Sequence, residues 1–264
     1  MMSKAKIAIL QMDVVWEQPE ANHEKLLGLL EKIPQDVNLF VLPELWSSCY
    51  SAPFLESASL ISPQLLDSLC QWCRDHFCWS VAGSLPWKEE EKLFNRSWVI
   101  TDAGTTAGFY DKMHLFSLTH ENELITPGIS PLIFEMNGIT CAVIICYDLR
   151  FPELARALTL AGVELLFVVA QWPQRRIDAW KILLQAAAVE NQLFVVGCNR
   201  CGVADVPYGG QSMAVSPWGE ILVSSENTEA VLYAELDLAE VKKARKRMPF
   251  LKDRRPELYT LISS

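Results

Sequence analysis

No apolar run in this sequence reaches the ~18 residues that a membrane-spanning helix needs, so no transmembrane segment is expected. The N-terminus, MMSKAKIAIL, passes from a short apolar run into polar QMD without a small-residue cleavage site. It reads as a first strand rather than a signal peptide. Basic charge is also scarce: 23 Lys and Arg stand against 32 Asp and Glu, a formal net charge of -9. Nucleic-acid binding requires a basic face, which argues against that partner class. The one basic cluster, KKARKR at 242–247, reads as a solvated helix face. No compositional break divides the 264 residues, half of them hydrophobic, so one domain over 1–264 is expected, long enough to bury roughly 70–75% of its unfolded surface. Without a sign of export, the expectation is a cytoplasmic protein acting on small molecules, with its eight cysteines reduced.

Two of the cysteine pairs have C-x-x-C spacing, Cys70/Cys73 and Cys198/Cys201, which zinc sites use. Core packing explains the first pair, because i, i+3 spacing in LLDSLCQWCRDHF puts both thiols on one helical face with Leu66 and Leu69. The second pair follows a strand and is remote in sequence, so no metal is expected.

Short buried-type runs predict strands at 4–12, within VNLFVLPELW, at 79–85, at 95–101 with TAGFYDKMHL as its hairpin partner, at 131–135, 138–146, in ELLFVVAQWP, LFVVGCN and AVLYAEL, and a hairpin in SMAVSPWGEILVSS. Helical periodicity covers 22–32, 62–77 with Ser62-Pro63 as N-cap and N1, the stretch ELARAL, and 177–191; a basic helix and an extended tail from Pro249 close the chain. Residues 117–131 lack periodicity and read as a loop carrying Glu121 and Glu123. Strands alternating with helices, plus inserted hairpins, predict an α/β fold with a mixed sheet or two packed sheets.

Three residues with reactive side chains stand at the ends of apolar strands: Glu44, Lys112 and Cys146. Cys146 closes the run ITCAVII, and Pro152 follows where a helix would start, so the thiol is expected on a strand-to-helix turn, with backbone N–H groups nearby. The alternative is one more buried thiol. The thiolate is the nucleophilic form; a nearby ammonium favours it, and a carboxylate serves as the base that takes its proton. Lys112 and the backbone N–H of Tyr147 are candidates for stabilising an oxyanion, where one donor is worth ~3 kcal/mol. Position in sequence does not establish proximity, and a Cys146–His114 or Cys146–His120 pairing of the papain type remains open. His114 lies two residues beyond Lys112 and would share its face if the strand continued that far.

The segments LPELW (42–46), YDKMHLF (110–116) and ICYDLRFPEL (145–154) resemble the three catalytic motifs of the nitrilase superfamily of carbon–nitrogen hydrolases, and 186–202, 209–222 and 253–259 are also similar to its members. The resemblance implies Glu44 as general base, Lys112 as oxyanion stabiliser, Cys146 as nucleophile and Glu121, seven residues before Gly128, as an additional active-site glutamate; His114 then takes a structural role. It implies a four-layer αββα sandwich, commonly paired into a homodimer through the outer helices, with the C-terminal tail, about 249–264, reaching towards the partner. The mechanism requires no cofactor.

The chain is most similar to the Nit/ω-amidase branch, which implies hydrolysis of the terminal amide of dicarboxylic monoamides such as α-ketoglutaramate; a nitrilase, a carbamoylase or a non-catalytic member of the fold is the alternative. A substrate carboxylate on an acidic protein needs a local cation, and Arg175 and Arg176, after the strand ending at Trp172, are the candidates. Trp172 either walls the pocket or packs in the core. Gln211 stands in GGQS where related sequences often have His, which bears on the pocket wall.

Overall fold

The structure, a computed structural model, describes residues 4–48, 50 and 52–259. The first half runs β1 (Lys4–Gln11), α1 (Pro19–Leu30), β2 (Leu39–Val41), α2 (Ala52–Ser59), α3 (Ser62–His76) and β3 (Trp79–Val81), then β4 (Leu85–Glu89), β5 (Lys92–Ile100) and β6 (Thr106–Asp111). A single helical turn, α4 (Glu121–Leu124), leads to β7 (Ile133–Met136), β8 (Ile139–Ile145), α5 (Pro152–Leu160), β9 (Leu165–Ala170), α6 (Ile177–Asn191), β10 (Phe194–Asn199), β11 (Met213–Val215), β12 (Ile221–Ser224) and β13 (Ala230–Asp237). Helices α7 (Ala239–Arg247) and α8 (Pro256–Tyr259) follow.

The first half builds one sheet, which β13 from the chain's end completes, and the rest of the second half builds the other. In the first, β1, β2 and β3 are parallel, with Ile7 opposite Leu39 and Leu39 opposite Trp79; β13 and β5 flank them antiparallel, and β4 and β6 both pair with β5. In the second, β8, β9 and β10 are parallel, with β7 antiparallel on one side and β11–β12 on the other.

The period of two along a strand sorts the apolar residues into layers. Ile7 and Ile9 of β1, Val143 and Ile145 of β8, and Phe167 and Val169 of β9 meet in one core between the sheets. Their neighbours Ala8 and Leu10 face outward onto Leu26, Leu29, Leu66 and Leu69 of α1 and α3. Ala142, Ile144, Leu166 and Val168 likewise face outward onto Leu158, Trp180 and Leu184 of α5 and α6. Both sheets are therefore covered on both faces, which is why their parallel strands read as continuous apolar runs. The result is the four-layer αββα sandwich.

Several local expectations shift. Helix α1 spans Pro19–Leu30 rather than 22–32, and it buries Leu26, Leu29 and Leu30. Ile61, not Ser62, precedes α3; the Ser62 hydroxyl instead donates to the Pro86 carbonyl at 2.7 Å. Helix α2 was not anticipated. Residues 117–124 are not a plain loop: a 3₁₀ turn and α4 fold there. The expected extended tail folds into turns and α8 up to residue 259, and its last five residues lie outside the described ones. Of the eight cysteines expected to be reduced, Cys49 also lies outside them. Both C-x-x-C pairs serve packing: Cys73 is in the core under α3 and Cys198 is in the core between the sheets.

Strand β6 ends beside the site, and a buried cation pins that end. Arg96 on β5 donates Nε to Asp111 Oδ1 at 2.7 Å and Nη2 to Oδ2 at 2.9 Å, pairs with Glu89, and lies 3.8 Å from the Phe109 ring centroid. Removing one partner of a buried pair leaves the other charge uncompensated. Arg96→Met is expected to cost about 3 kcal/mol in urea unfolding, with Arg96→Met/Asp111→Leu recovering part of it; a loss indistinguishable from zero would refute the anchoring role.

Candidate active site

Four strand ends converge at the carboxyl edge of the two parallel cores, the place where open α/β sheets leave a crevice. Glu44 follows β2, Lys112 follows β6, Cys146 follows β8 and Gln171 follows β9. The backbone is strained at two of these points. Leu45 has φ 41° and Cys146 has φ 48°, both in the left-handed region that side chains with a Cβ avoid. Such residues cost of order 1–3 kcal/mol each and persist where the surrounding structure over-determines them. Here it does: the Leu45 N–H donates to Ser84 Oγ at 2.9 Å, its carbonyl accepts from Gln171 Nε2 at 3.2 Å, and the Ile145 N–H donates to Asp148 Oδ2 at 3.0 Å.

Lys112 is the hub. It is buried, and its Nζ donates to Glu44 Oε1 at 2.9 Å, to Glu121 Oε1 and Oε2 at 3.0 and 2.9 Å, and to the Tyr50 hydroxyl at 2.8 Å. Its backbone is held equally firmly. The Lys112 N–H donates to the Asn95 carbonyl at 3.0 Å and its carbonyl accepts from Gly128 at 2.9 Å. A Cβ on Gly128 would lie 2.0 Å from the Asp111 carbonyl, so only glycine lets the loop close here. Glu44, fully buried, also accepts from Asn95 Nδ2 at 2.8 Å and from Tyr50 on Oε1, and from the Gln171 N–H at 2.8 Å on Oε2. Helix α4 turns Glu121 inward, where it also takes the Phe116 N–H at 2.7 Å, and turns Glu123 outward to an exposed pair with His120.

Above this cluster lies a cavity of about 320 Å³. Cys146, Lys112 and Tyr50 reach its floor, while Glu44 and Glu121 lie behind them. Tyr147 and Trp172 form walls, and Arg150, Arg175 and Arg176 stand around the mouth. The Cys146 thiol points to the Gln171 carbonyl at 3.9 Å. The structure thus brings together Glu44, Lys112, Glu121, Cys146, Tyr147, Trp172, Arg175 and Arg176. It leaves out both histidines. Strand β6 stops at Asp111, so His114 does not share the face of Lys112; its Nδ1 binds Asp148 at 2.8 Å and its ring stacks on Phe151. Gln211 is not in the cavity wall: its carbonyl accepts from Trp180 Nε1 at 2.9 Å. Trp172 packs in the core of the second sheet's outer layer and also lines the cavity, with Nε1 donating to the Arg176 carbonyl at 2.8 Å.

The family profile for carbon-nitrogen hydrolases matches residues 6–246. The chain belongs to the carbon-nitrogen hydrolase family. A 2-oxoglutaramate amidase of Bacillus subtilis is 34% identical over 258 residues, 97% of this chain and all of that protein. The ω-amidase YafV of Escherichia coli is also 34% identical, over 94% of this chain and 96% of its own. Among solved structures, XC1258 from Xanthomonas campestris, a CN-hydrolase superfamily protein with an arsenic adduct in its active site, superposes with a TM-score of 0.89 at 29% identity, covering 96% of this chain and 98% of its own. As a member of this nitrilase superfamily, the protein is a hydrolase of carbon–nitrogen bonds other than peptide bonds.

For this hydrolase the electrostatics of the floor decide the state of the thiol. Burial pushes the Cys146 thiol well above its ordinary range, the negative charge of Glu44 and a hydrogen bond to it push the same way, and Lys112 opposes them. Burial alone would depress the Lys112 ammonium, but the charges of Glu121 and Glu44 outweigh it and hold the ammonium firmly charged. These influences together favour the neutral form of the thiol in the resting site.

Tyr50, Asn95, Gln171 and Arg150 were not singled out from sequence. Arg150 and Gln171 carried a faint signal, since each is a polar residue just past a buried strand. Tyr50 and Asn95 carried none: one lies in irregular chain, and the other inside a strand whose alternation looked ordinary.

Removing the charge of Glu44 removes an influence that raises the thiol pKa while Lys112 still lowers it. In Glu44→Gln, thiolate absorbance of Cys146 is expected to appear at lower pH than in the native protein. An unchanged or higher midpoint would show that Glu44 does not act on the thiol.

Proposed function

We propose that this hydrolase is an ω-amidase that cleaves the terminal amide of a small dicarboxylic monoamide, α-ketoglutaramate or a close analogue, through a thioester on Cys146. The observation that carries the reading is the polarity of the cavity: Cys146 and Lys112 at the floor, with Glu44 and Glu121 paired to Lys112 behind them, and three arginines in the lining. The relatives named 2-oxoglutaramate amidase and ω-amidase support the same substrate class.

On this reading Cys146 Sγ attacks the amide carbonyl carbon while its proton passes to Glu44. The carbonyl oxygen takes up the electron pair and is stabilised by Lys112 Nζ and the Tyr147 backbone N–H. Lys112 has three N–H bonds and three partner groups in the resting site; the Tyr50 oxygen is the uncharged one and lines the cavity, so the oxyanion replaces it. Protonated Glu44 then delivers its proton to the amide nitrogen, the C–N bond breaks and ammonia leaves. Glu44 next takes a proton from water, hydroxide adds to the thioester carbon, the C–S bond breaks to give the carboxylic acid product, and Glu44 returns its proton to the leaving sulfur, which restores the thiol and the carboxylate. Glu121 holds Lys112 in place.

At the mouth, burial and the neighbouring charges of Arg175 and Arg150 push the Arg176 guanidinium below its ordinary range, though it stays a cation. Arg176 lies 5.2 Å from the Phe116 ring centroid and Arg150 lies 4.8 Å from that of Trp172. None of the three arginines is in an ion pair among the described residues. An anion between them relieves their mutual repulsion. Arg150 thus joins Arg175 and Arg176 as a candidate for the substrate carboxylate.

The homodimer that the family resemblance implies is supported by Leu160 of α5 and Ile182 and Val189 of α6, which stand exposed on the outer helical layer. Ile182→Glu is expected to shift the native protein from dimer to monomer in sedimentation velocity; a monomeric native chain would refute the pairing.

The function itself is tested by ammonia release from α-ketoglutaramate, succinamate, a neutral aliphatic amide, a carbamoyl amino acid and a nitrile. The first two are expected to turn over fastest, with turnover abolished in Cys146→Ala. Hydrogen bonds to a charged group contribute ≈ 1.5–3 kcal/mol. Arg176→Gln and Arg150→Gln should therefore raise KM for α-ketoglutaramate by about tenfold or more and leave the neutral amide unaffected. Equal effects on both amides would refute carboxylate recognition.

A further inference from the structure

Beneath the cavity floor, one carboxylate joins the two sheets. Asp148 is fully buried, and its two oxygens accept four hydrogen bonds from two separate stretches of chain. Oδ2 accepts from the Tyr110 hydroxyl at 2.7 Å and from the Ile145 N–H at 3.0 Å. Oδ1 accepts from the backbone N–H of His114 at 2.9 Å and binds its ring Nδ1 at 2.8 Å. Tyr110 belongs to β6 in the first sheet, and Ile145 ends β8 in the second.

The sequence positions matter more than the number of bonds. Lys112 lies midway between Tyr110 and His114, and both of those are tied to Asp148. Cys146 lies between Ile145, also tied to Asp148, and Asp148 itself. The residues flanking the ammonium and the residues flanking the thiol therefore converge on one side chain. The Tyr110 oxygen also accepts from the Met113 N–H at 3.4 Å, which closes the chain around Lys112. The His114 ring is fixed from its other face by Phe151, 3.7 Å away between centroids and 11° from parallel, at the start of α5.

We propose that Asp148 is a positioning residue for the hydrolysis: it sets the spacing of Lys112 against Cys146 across the gap between the sheets. The inference rests on the roles of Cys146 and Lys112 proposed above. A carboxylate suits this task because both oxygens only accept, about four lone-pair sites in all. An amide of the same shape places an N–H against the Ile145 N–H or against the His114 N–H, whichever way it turns. The left-handed backbone of Cys146 makes the tie necessary, since a strained turn keeps its geometry only while the surroundings hold it.

A purely structural Asp148 and a positioning Asp148 differ in what they change. The test measures kcat and KM for succinamate, and the rate of Cys146 alkylation by iodoacetamide, in folded full-length variants well below their melting temperatures. In Asp148→Asn, kcat is expected to fall about tenfold to a hundredfold, the scale of a small misplacement of reacting groups. KM is expected to stay at the native value, because only the transition state loses an interaction. Alkylation of Cys146 slows with kcat. Tyr110→Phe and His114→Ala each remove one bond and leave Asp148 in place; they are expected to lower kcat by smaller factors at constant KM and to carry the test if Asp148→Asn does not fold. Native kcat and native alkylation rates in these folded variants, whatever their melting temperatures, would overturn the proposal, as would a rise in KM at unchanged kcat. Cys146→Ala is run alongside: activity surviving there overturns the assignment of the nucleophile, and that result is distinguishable from the failure of Asp148 alone.

Discussion

A lysine ammonium held out of water between two carboxylates is the constraint around which this molecule is arranged. Taking three charged groups into a protein interior costs several kcal/mol per ion, and that cost is offset only when geometry and hydrogen bonding are close to ideal. Lys112, Glu44 and Glu121 meet the condition because every polar atom has a fixed partner: Tyr50 and Asn95 beside Glu44, the Gln171 N–H on its other oxygen, and the Phe116 N–H on Glu121. Those partners come from strands and loops of both sheets. The cluster is thus a reason for two sheets to meet in one register, as well as a result of their meeting.

Rigid packing around the cluster allows strain inside it. Leu45 and Cys146 both occupy the left-handed region, next to Glu44 in one case and at the thiol itself in the other. Leu45 follows β2, which lies between parallel β1 and β3, and Cys146 follows β8, which lies between parallel β9 and antiparallel β7; both strands are buried on both faces, in registers that leave no freedom to slide. The turn ends the strand at Ile145 and leaves the thiol among the residues that line the cavity. The apolar runs that build the sandwich are in this sense part of the site, because they hold its two strained residues.

How far this was legible in the sequence follows from which interactions are local. The αββα layers, the strand ends and the Glu44, Lys112 and Cys146 cluster could be read because each residue follows an apolar run and each lies in a motif that resembles the family's. Glu121 could be singled out only through the family resemblance, and the helical turn that aims it inward could not be read at all, since four residues give no period. Tyr50, Asn95 and Asp148 were out of reach as site residues. Each has partners that only the fold brings close, Glu121 for Tyr50 and Asn95 at separations of 71 and 26 residues and Tyr110 for Asp148 at 38, and nothing in their own neighbourhoods distinguishes them from ordinary polar residues. His114 misled for the converse reason: strand alternation would have placed it beside Lys112, but β6 ends one residue before Lys112 and the chain turns towards Asp148.

The charge distribution makes the proposed chemistry directional. The protein carries a formal net charge of -9, yet a small anion near the mouth responds mainly to charges within the ~8–10 Å over which salt leaves fields intact. Within that range stand three arginines, whereas the floor holds two carboxylates against one ammonium. A dicarboxylic monoamide meets this gradient with unlike ends. In the proposed binding mode its carboxylate is held at the mouth and repelled by the floor, which leaves the uncharged amide to face Cys146. Hydrolysis then converts that amide into a second carboxylate directly in front of Glu44 and Glu121. The floor that accepts the neutral amide disfavours the charged product, so the field that orients the substrate also drives the product out.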